Sequence, residues 1–71
     1  MSVWSSAKAK RVKAALKRLG WQEKRQRGTS HCVMSRDGWA DFIFAFHDAV
    51  EIGPVMLARL ARHTGLKPED L

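Results

Sequence analysis

The chain is organised around the stretch Arg25-Gln26-Arg27-Gly28-Thr29-Ser30-His31-Cys32-Val33-Met34. Its basic beginning has the composition of an exposed strand, and its apolar end has that of a buried one. The glycine, threonine and serine between them interrupt the strand pattern. His31 therefore stands at the start of an apolar strand, a few residues after two arginines, which suits contact with a phosphate group. We interpret the rest of this short chain as the scaffold that holds His31 in place.

The 71 residues predict a single domain, residues 1–71. A domain of this size buries only about 60% of the surface of its unfolded chain, so we expect a surface site, without a cofactor or a deep pocket. Cys32 is the one cysteine, which excludes an internal disulfide, fits a reducing cytoplasm and predicts a small core residue. The N-terminus lacks a signal-peptide pattern and no apolar run approaches the roughly 18 residues of a membrane span. We expect a soluble, cytoplasmic protein without membrane contact.

Charge is distributed unevenly along the chain. Residues 1–36 contain ten basic residues and one acidic residue, Glu23, for a net charge of +9. Residues 37–71 contain three basic and six acidic residues, for a net charge of −3. A basic half beside an acidic half predicts a surface for a polyanion, which in a small cytoplasmic protein is usually nucleic acid. The alternative is a charged surface that only keeps the protein in solution, and the clustering favours nucleic acid.

The first helix is predicted from the residues that flank it and from the spacing of its apolar residues. Ser5 or Ser6 can cap its start, and Gly20 can end it as a left-handed cap. Its apolar positions have the spacing of one buried face: Ala9, Val12, Ala15, Leu16 and Leu19. Six basic residues cover the rest of the helix: Lys8, Lys10, Arg11, Lys13, Lys17 and Arg18.

Three strands are predicted to follow. Residues 21–27 are polar enough for an exposed or edge strand, residues 30–34 form a short second strand, and residues 39–46 form the third. A turn at residues 36–38 joins the last two, with Asp-Gly supplying the backbone angles. An aromatic stripe runs along one face of the third strand. Such a stripe can stack bases, but it more often faces the core, and we favour the core: Phe42, Phe44 and Phe46.

The second helix is bounded by glycines. Residues 47–51 are predicted as a loop, Gly53-Pro54 as the start of the helix, and Gly65 as its end, with Leu66 folded over the last turn. Residues 67–71 are predicted as a terminal turn. The inward-facing residues are Leu57, Leu60, Ala61 and Thr64. The order helix, three antiparallel strands, helix predicts a small α+β fold with both helices on one face of the sheet.

The chain has three histidines that could move a proton. An imidazole has an ordinary pKa near 6.5, so it titrates close to neutral pH. His63 falls in the last turn of the second helix, where the helix dipole already favours a cation. His47 follows the aromatic strand and is either a residue that orders the loop or a second active-site group. His31 follows a Gly-Thr-Ser segment whose amides and hydroxyls can bind an anion.

This setting suits cleavage of RNA. A histidine at position 31 could take the proton of a 2′-hydroxyl or protonate the leaving 5′-oxygen, while Arg25 and Arg27 hold the phosphate. Composition and spacing alone leave open whether His31 is catalytic. No cluster of Asp, Glu or His has metal-ligand spacing, so the sequence favours a metal-independent mechanism.

From about Lys10 to Leu71 the sequence resembles the HicA family of bacterial toxins, small ribonucleases of type II toxin–antitoxin pairs. An ordered set of short motifs carries the resemblance: Gly20-Trp21, Gly28-Thr29-Ser30-His31, Asp37-Gly38, Phe46-His47, Gly65-Leu66 and Glu69-Asp70-Leu71. The chain departs from the family at two places. Thr29 adds one residue to the usual Gly-Ser-His, which bears on the phosphate-facing amides, and Val55-Met56 stands where many members have Gly-Thr.

The resemblance implies a fold like that of double-stranded-RNA-binding domains, with the order αβββα. It implies an endoribonuclease that cleaves mRNA, with His31 as its catalytic histidine and His47 as a candidate second group. It also implies a HicB-like antitoxin that binds the toxin in a hetero-oligomer and blocks its active site. The residues expected to bind RNA are Arg25, Arg27, Gly28, Thr29, Ser30, Lys10, Lys13 and Lys17. Two alternatives stay open: a module that binds RNA without cutting it, and a subunit that mainly binds its protein partner.

Overall fold

A computed structural model describes residues 3–27 and 31–71, and for Arg25–Arg27 it describes the backbone alone. Three central strands, β2, β3 and β4, form an antiparallel sheet in that order, and β1 pairs with β5 in a separate two-residue ribbon. The elements are β1 (Ala7–Lys8), α1 (Ala9–Arg18), β2 (Gln22–Arg27), β3 (His31–Ser35), β4 (Phe42–Ala45), β5 (Glu51–Ile52), α2 (Pro54–Thr64) and a 3₁₀ turn (Pro68–Asp70). The predicted α+β fold with the order αβββα is confirmed. In the part of the chain that the structure describes, no helix is long and apolar enough to cross a membrane.

The start of α1 differs from the prediction. Ser5 and Ser6 do not cap the helix, because residues 7–8 are extended in β1 and the N-cap position falls on Lys8, whose side chain makes no capping hydrogen bond. The first amides of the helix bond to a distant loop instead. Ala9 N–H donates to the carbonyl oxygen of Val50 at 2.8 Å, and Lys10 N–H donates to that of Asp48 at 3.1 Å. Two of the four orphan donors of a helix start are thereby satisfied by backbone.

The end of α1 is formed as predicted. Gly20 has a φ of +107°, and its N–H donates to the carbonyl oxygen of Lys17 while Trp21 N–H donates to that of Leu16, both at 3.0 Å. This pair of bonds is a Schellman motif, which needs a residue that tolerates positive φ. The motif turns Trp21 into the core, where 1% of it is exposed. The prediction of an exposed strand from residue 21 is therefore wrong for its first residue, and β2 begins at Gln22.

The register of β3 and β4 decides which face of the sheet is covered. Cys32 pairs with Phe44 and Met34 with Phe42, and Cys32, Met34 and Phe44 are buried together with residues of both helices in one core. The residues between them point to the other face, which we call the open face. Phe44 is 1% exposed, and Phe42 and Phe46 are partly buried against the same core, so the aromatic stripe faces the core, as predicted. The third strand is shorter than predicted, since it begins at Phe42.

The turn after β3 and the end of α2 meet at two tryptophans. Trp39 lies in the turn, where its N–H donates to the carbonyl oxygen of Arg36 at 3.0 Å, and 41% of it is exposed. The rings of Trp39 and Trp21 lie edge to face with centroids 6.0 Å apart. Trp39 also covers Gly65, where an added Cβ would lie 3.0 Å from the ring. The glycine therefore allows the ring to close over the end of α2.

The second helix follows the prediction closely. Gly53 is its N-cap, Pro54 its first residue, and Gly65 its C-cap with a φ of +75°. Thr64 of this helix is fully buried, and both its hydroxyl and its carbonyl have hydrogen-bond partners. Thr64 Oγ1 donates to the carbonyl oxygen of Leu60 at 2.7 Å and accepts from Leu66 N–H at 3.2 Å, while the Thr64 carbonyl accepts from Trp21 Nε1 at 3.1 Å. The predicted loop over residues 47–51 is correct except for Glu51, which is in β5.

Candidate nucleic-acid interface

His31 is the first residue of β3, and its side chain is exposed on the open face of the sheet. It has this orientation because side chains alternate along a strand and the next residue, Cys32, is buried in the core. The register places His31 opposite Ala45 of β4 and Arg27 of β2. Ala45 is small and exposed, so it leaves one side of the histidine open. The setting can present an imidazole to a large ligand lying across the sheet.

The two arginines near His31 are placed by an irregularity in β2. Glu23 pairs with Met34, but Arg25 pairs with Val33 and Arg27 with His31, so the register shifts between Glu23 and Arg25. Lys24 is thus an extra residue in the ladder, a β-bulge, of the kind often found next to active sites. Because of the bulge, Arg25 and Arg27 occupy the register positions opposite the open-face residues Val33 and His31. Their side chains lie outside what the structure describes.

The two residues at the bulge are held from opposite sides. Lys24 Nζ lies 3.0 Å from Asp41 Oδ2, at the start of β4. Glu23 is opposite the buried Met34, so its carboxylate reaches α1, where Lys13 donates to it and Lys17 Nζ lies 3.7 Å away. These contacts link β2 to α1 and, across β3, to the residue that precedes β4.

The lysines predicted to bind RNA lie on α1. Lys10, Lys13 and Lys17 follow one side of α1 and line a shallow depression together with Ala14 and Asp48. Lys13 and Lys17 contact Glu23 on the helix side of β2, whereas His31 is on the open face. The structure therefore places Lys13 and Lys17 on the opposite side of the edge strand from His31, and an RNA that touched both sides would have to pass around that edge.

The ion pair of Lys13 with Glu23 affects the titration of both groups. The hydrogen bond to Glu23 raises the pKa of Lys13 above its usual value, and the charges of Glu23 and Asp48 add to this effect, while burial opposes it. The hydrogen bond from Lys13 lowers the pKa of Glu23, as do the charges of Lys13 and Lys17, again opposed by burial. Both groups are thus held in their charged forms at neutral pH.

The other histidines occupy different places. His47 is exposed and begins a turn in which its carbonyl oxygen accepts from Val50 N–H at 3.0 Å. It lies two residues beyond Ala45, the partner of His31, so both histidines lie at the same end of the sheet. His63 is exposed in the last turn of α2, where the helix dipole favours a positively charged side chain.

Three residues of the predicted site lie outside the described part of the chain, and one residue near the site was not predicted. Gly28, Thr29 and Ser30 lie outside the described residues, so their expected role in binding a phosphate stays a prediction. Glu23 is not among the predicted site residues, although it is the only acidic residue beside ten basic ones in residues 1–36. Within residues 3–27 and 31–71, no three side chains among His, Cys, Asp and Glu come together as ligands for a metal ion.

Comparison with known proteins assigns the family. A family model described as HicA toxin of bacterial toxin-antitoxin matches residues 9–66. Searches of curated proteins and of solved structures give no significant match. The matched range begins with the first residue of α1 and ends one residue after Gly65, so it contains both helices and the whole central sheet. The chain belongs to the HicA family, the toxins of bacterial toxin–antitoxin pairs.

Proposed function

We propose that this toxin is an endoribonuclease that cleaves mRNA, with His31 as a general acid or base. The observation that carries the proposal is the exposed His31 on the open face, directly opposite the register position of Arg27. Membership of the HicA family supports a toxic activity, and the excess of basic residues in the first half of the chain supports an RNA substrate.

The chemistry needs two proton transfers. A base removes the proton of a 2′-hydroxyl, the 2′-oxygen attacks the adjacent phosphorus, and the bond to the 5′-oxygen breaks as that oxygen receives a proton. An imidazole can perform either transfer near neutral pH. His47 is the candidate for the second transfer, because it is exposed at the same end of the sheet as His31. No metal ion is required by this scheme.

Binding of the substrate is assigned to two groups of residues. The residues beside His31 would hold the reacting phosphate and offset the charge that develops on it: Arg25, Arg27, Gly28, Thr29 and Ser30. The lysines of α1 would hold another part of the RNA backbone: Lys10, Lys13 and Lys17. Two of them, Lys13 and Lys17, lie on the helix side of β2, whereas His31 lies on the open face. A HicB-like antitoxin is the proposed protein partner, in a cytoplasmic hetero-oligomer that covers His31.

Cleavage of a long single-stranded RNA tests the proposal. Wild type, His31→Ala and His47→Ala are incubated with the RNA in EDTA over a range of pH, at equal folded fraction. We expect cleavage by wild type with an optimum near neutral pH, and loss of cleavage in His31→Ala by at least about two orders of magnitude, the usual contribution of a general acid or base. Unchanged cleavage by His31→Ala would contradict the assignment. Binding without cleavage by wild type would identify a non-catalytic RNA-binding module.

A further inference from the structure

Glu23 occupies an unusual place for a carboxylate. It is the only acidic residue in residues 1–36, and it lies on the edge strand β2 with its side chain against α1. There it contacts two lysines that were predicted to bind RNA, since Lys13 donates to its carboxylate and Lys17 Nζ lies 3.7 Å from Glu23 Oε1. One carboxylate oxygen is thus shared between two ammonium groups.

Between two ammonium groups, Glu23 Oε1 occupies the kind of position that a bound phosphate oxygen would take. Lys10, Lys13 and Lys17 line the same depression on α1, and a phosphate oxygen between Lys13 and Lys17 would take the position of Glu23 Oε1. Solvent reaches the contact, because the exposed fractions of the Lys13, Lys17 and Glu23 side chains are 21%, 52% and 36%. A ligand can therefore approach both lysines without unfolding the helix.

We propose that Glu23 is an internal competitor of RNA, a carboxylate that occupies the phosphate site of Lys13 and Lys17 and weakens RNA binding there. The inference rests on the proposed RNA-binding function. Its physical basis is that an exposed ion pair is weak because water screens it, so the phosphates of a polyanion can displace the carboxylate. Displacing the Glu23 carboxylate still costs part of the free energy of RNA binding. Lys13 and Lys17 therefore contribute less to RNA affinity than they would without Glu23.

The size of the effect follows from counterion release. For a single-stranded nucleic acid, the logarithm of the binding constant falls with the logarithm of the salt concentration by about 0.7 per neutralised phosphate. If variant and wild type bind equally at 1 M salt, the neutralisation of one further phosphate tightens binding about 5-fold at 0.1 M salt.

Glu23→Gln is the variant that tests the inference. Its RNA affinity is measured by fluorescence anisotropy with a labelled single-stranded RNA over a series of salt concentrations, in a His31→Ala background that prevents cleavage. The matched control is Glu69→Gln, which removes the same charge from an exposed residue of the 3₁₀ turn. We expect tighter binding by Glu23→Gln, about 5-fold at 0.1 M salt, with a slope of the logarithm of the binding constant against the logarithm of the salt concentration that is steeper by about 0.7. We expect the slope of Glu69→Gln to remain that of the parent protein.

A double-mutant cycle with the exposed Lys17 separates competition from a merely structural contact. Lys17→Gln should reduce the salt slope more in the Glu23→Gln background, where Lys17 is free, than in the parent. If Glu23→Gln and Glu69→Gln have equal slopes, or if Glu23→Gln binds RNA more weakly at equal folded fraction, Glu23 only fastens α1 to β2 and the inference is wrong. That result leaves the nuclease proposal standing as long as wild type still cleaves RNA. Absence of RNA binding by every variant at low salt would overturn both.

Discussion

The indole of Trp21 ties the start of the sheet to the end of α2, and replacing it with phenylalanine should destabilise the protein strongly. Trp21 is 1% exposed, and its Nε1 donates to the carbonyl oxygen of Thr64 at 3.1 Å. Phenylalanine removes the donor and leaves a buried carbonyl without it, which costs about 1–3 kcal/mol. The smaller ring also leaves a void, and the two effects together amount to about 2–4 kcal/mol.

This loss is large for a domain of 71 residues, because a core of this size rarely supplies more than roughly 3–5 kcal/mol. We expect Trp21→Phe to lower the midpoint of urea unfolding and to lower Tm by about 4–8 °C for each kcal/mol lost. The matched control is Trp39→Phe, because Trp39 is 41% exposed and should lose less than about 1 kcal/mol. Both are followed by circular dichroism. Equal losses for the two variants would refute the reasoning from burial and hydrogen bonding.

Two further predictions concern the C-terminal end of α2 and the pH dependence of stability. Gly65→Ala should destabilise the fold by about 1–2 kcal/mol, measured by urea unfolding, because φ is +75° there and the new Cβ would lie 3.0 Å from the ring of Trp39; an unchanged midpoint would show that the ring moves aside at no cost. The pKa of Glu23 is lowered in the folded state, mainly by its hydrogen bond from Lys13, so its contribution to stability is present above the ordinary glutamate pKa of about 4.3. The contribution is lost as the pH falls through the lowered value. Because the pair is exposed, we expect less than about 1 kcal/mol, seen as a smaller acid-induced loss of stability in Glu23→Gln than in wild type; equal acid sensitivity would contradict the assignment.

The parts of the fold that were predictable from sequence are the helix ends marked by glycine and proline. The bounds of α2 follow from Gly53-Pro54 and Gly65, and the end of α1 from Gly20, because these residues act through their own backbone angles. The start of α1 was not predictable in the same way. Its first amides bond to the carbonyl oxygens of Asp48 and Val50, which are about forty residues away in the sequence.

The candidate site was predictable in its residue types and less so in its geometry. The exposure of His31 depends on strand register, since a shift by one residue exchanges the two faces, and burial of Cys32 and Met34 settles it. The ribbon of β1 and β5 has two residues in each strand, too few for a periodic pattern to show. The contact of Glu23 with Lys13 joins β2 to α1, and spacing along the sequence does not indicate which lysine a distant carboxylate will reach.

The extra residue in β2 has a consequence for how related chains are to be compared. Omitting Lys24 from the ladder makes the pairing of residues 22–27 with β3 continuous, so a chain one residue shorter here could still place an arginine opposite His31. If two such chains were aligned by counting residues back from the histidine, the residues before the bulge would be matched one position out of register. Residues of two such chains are equivalent when they pair with the same residue of β3. An insertion or deletion at the bulge therefore changes the length of β2 and leaves the histidine on the same face of the sheet.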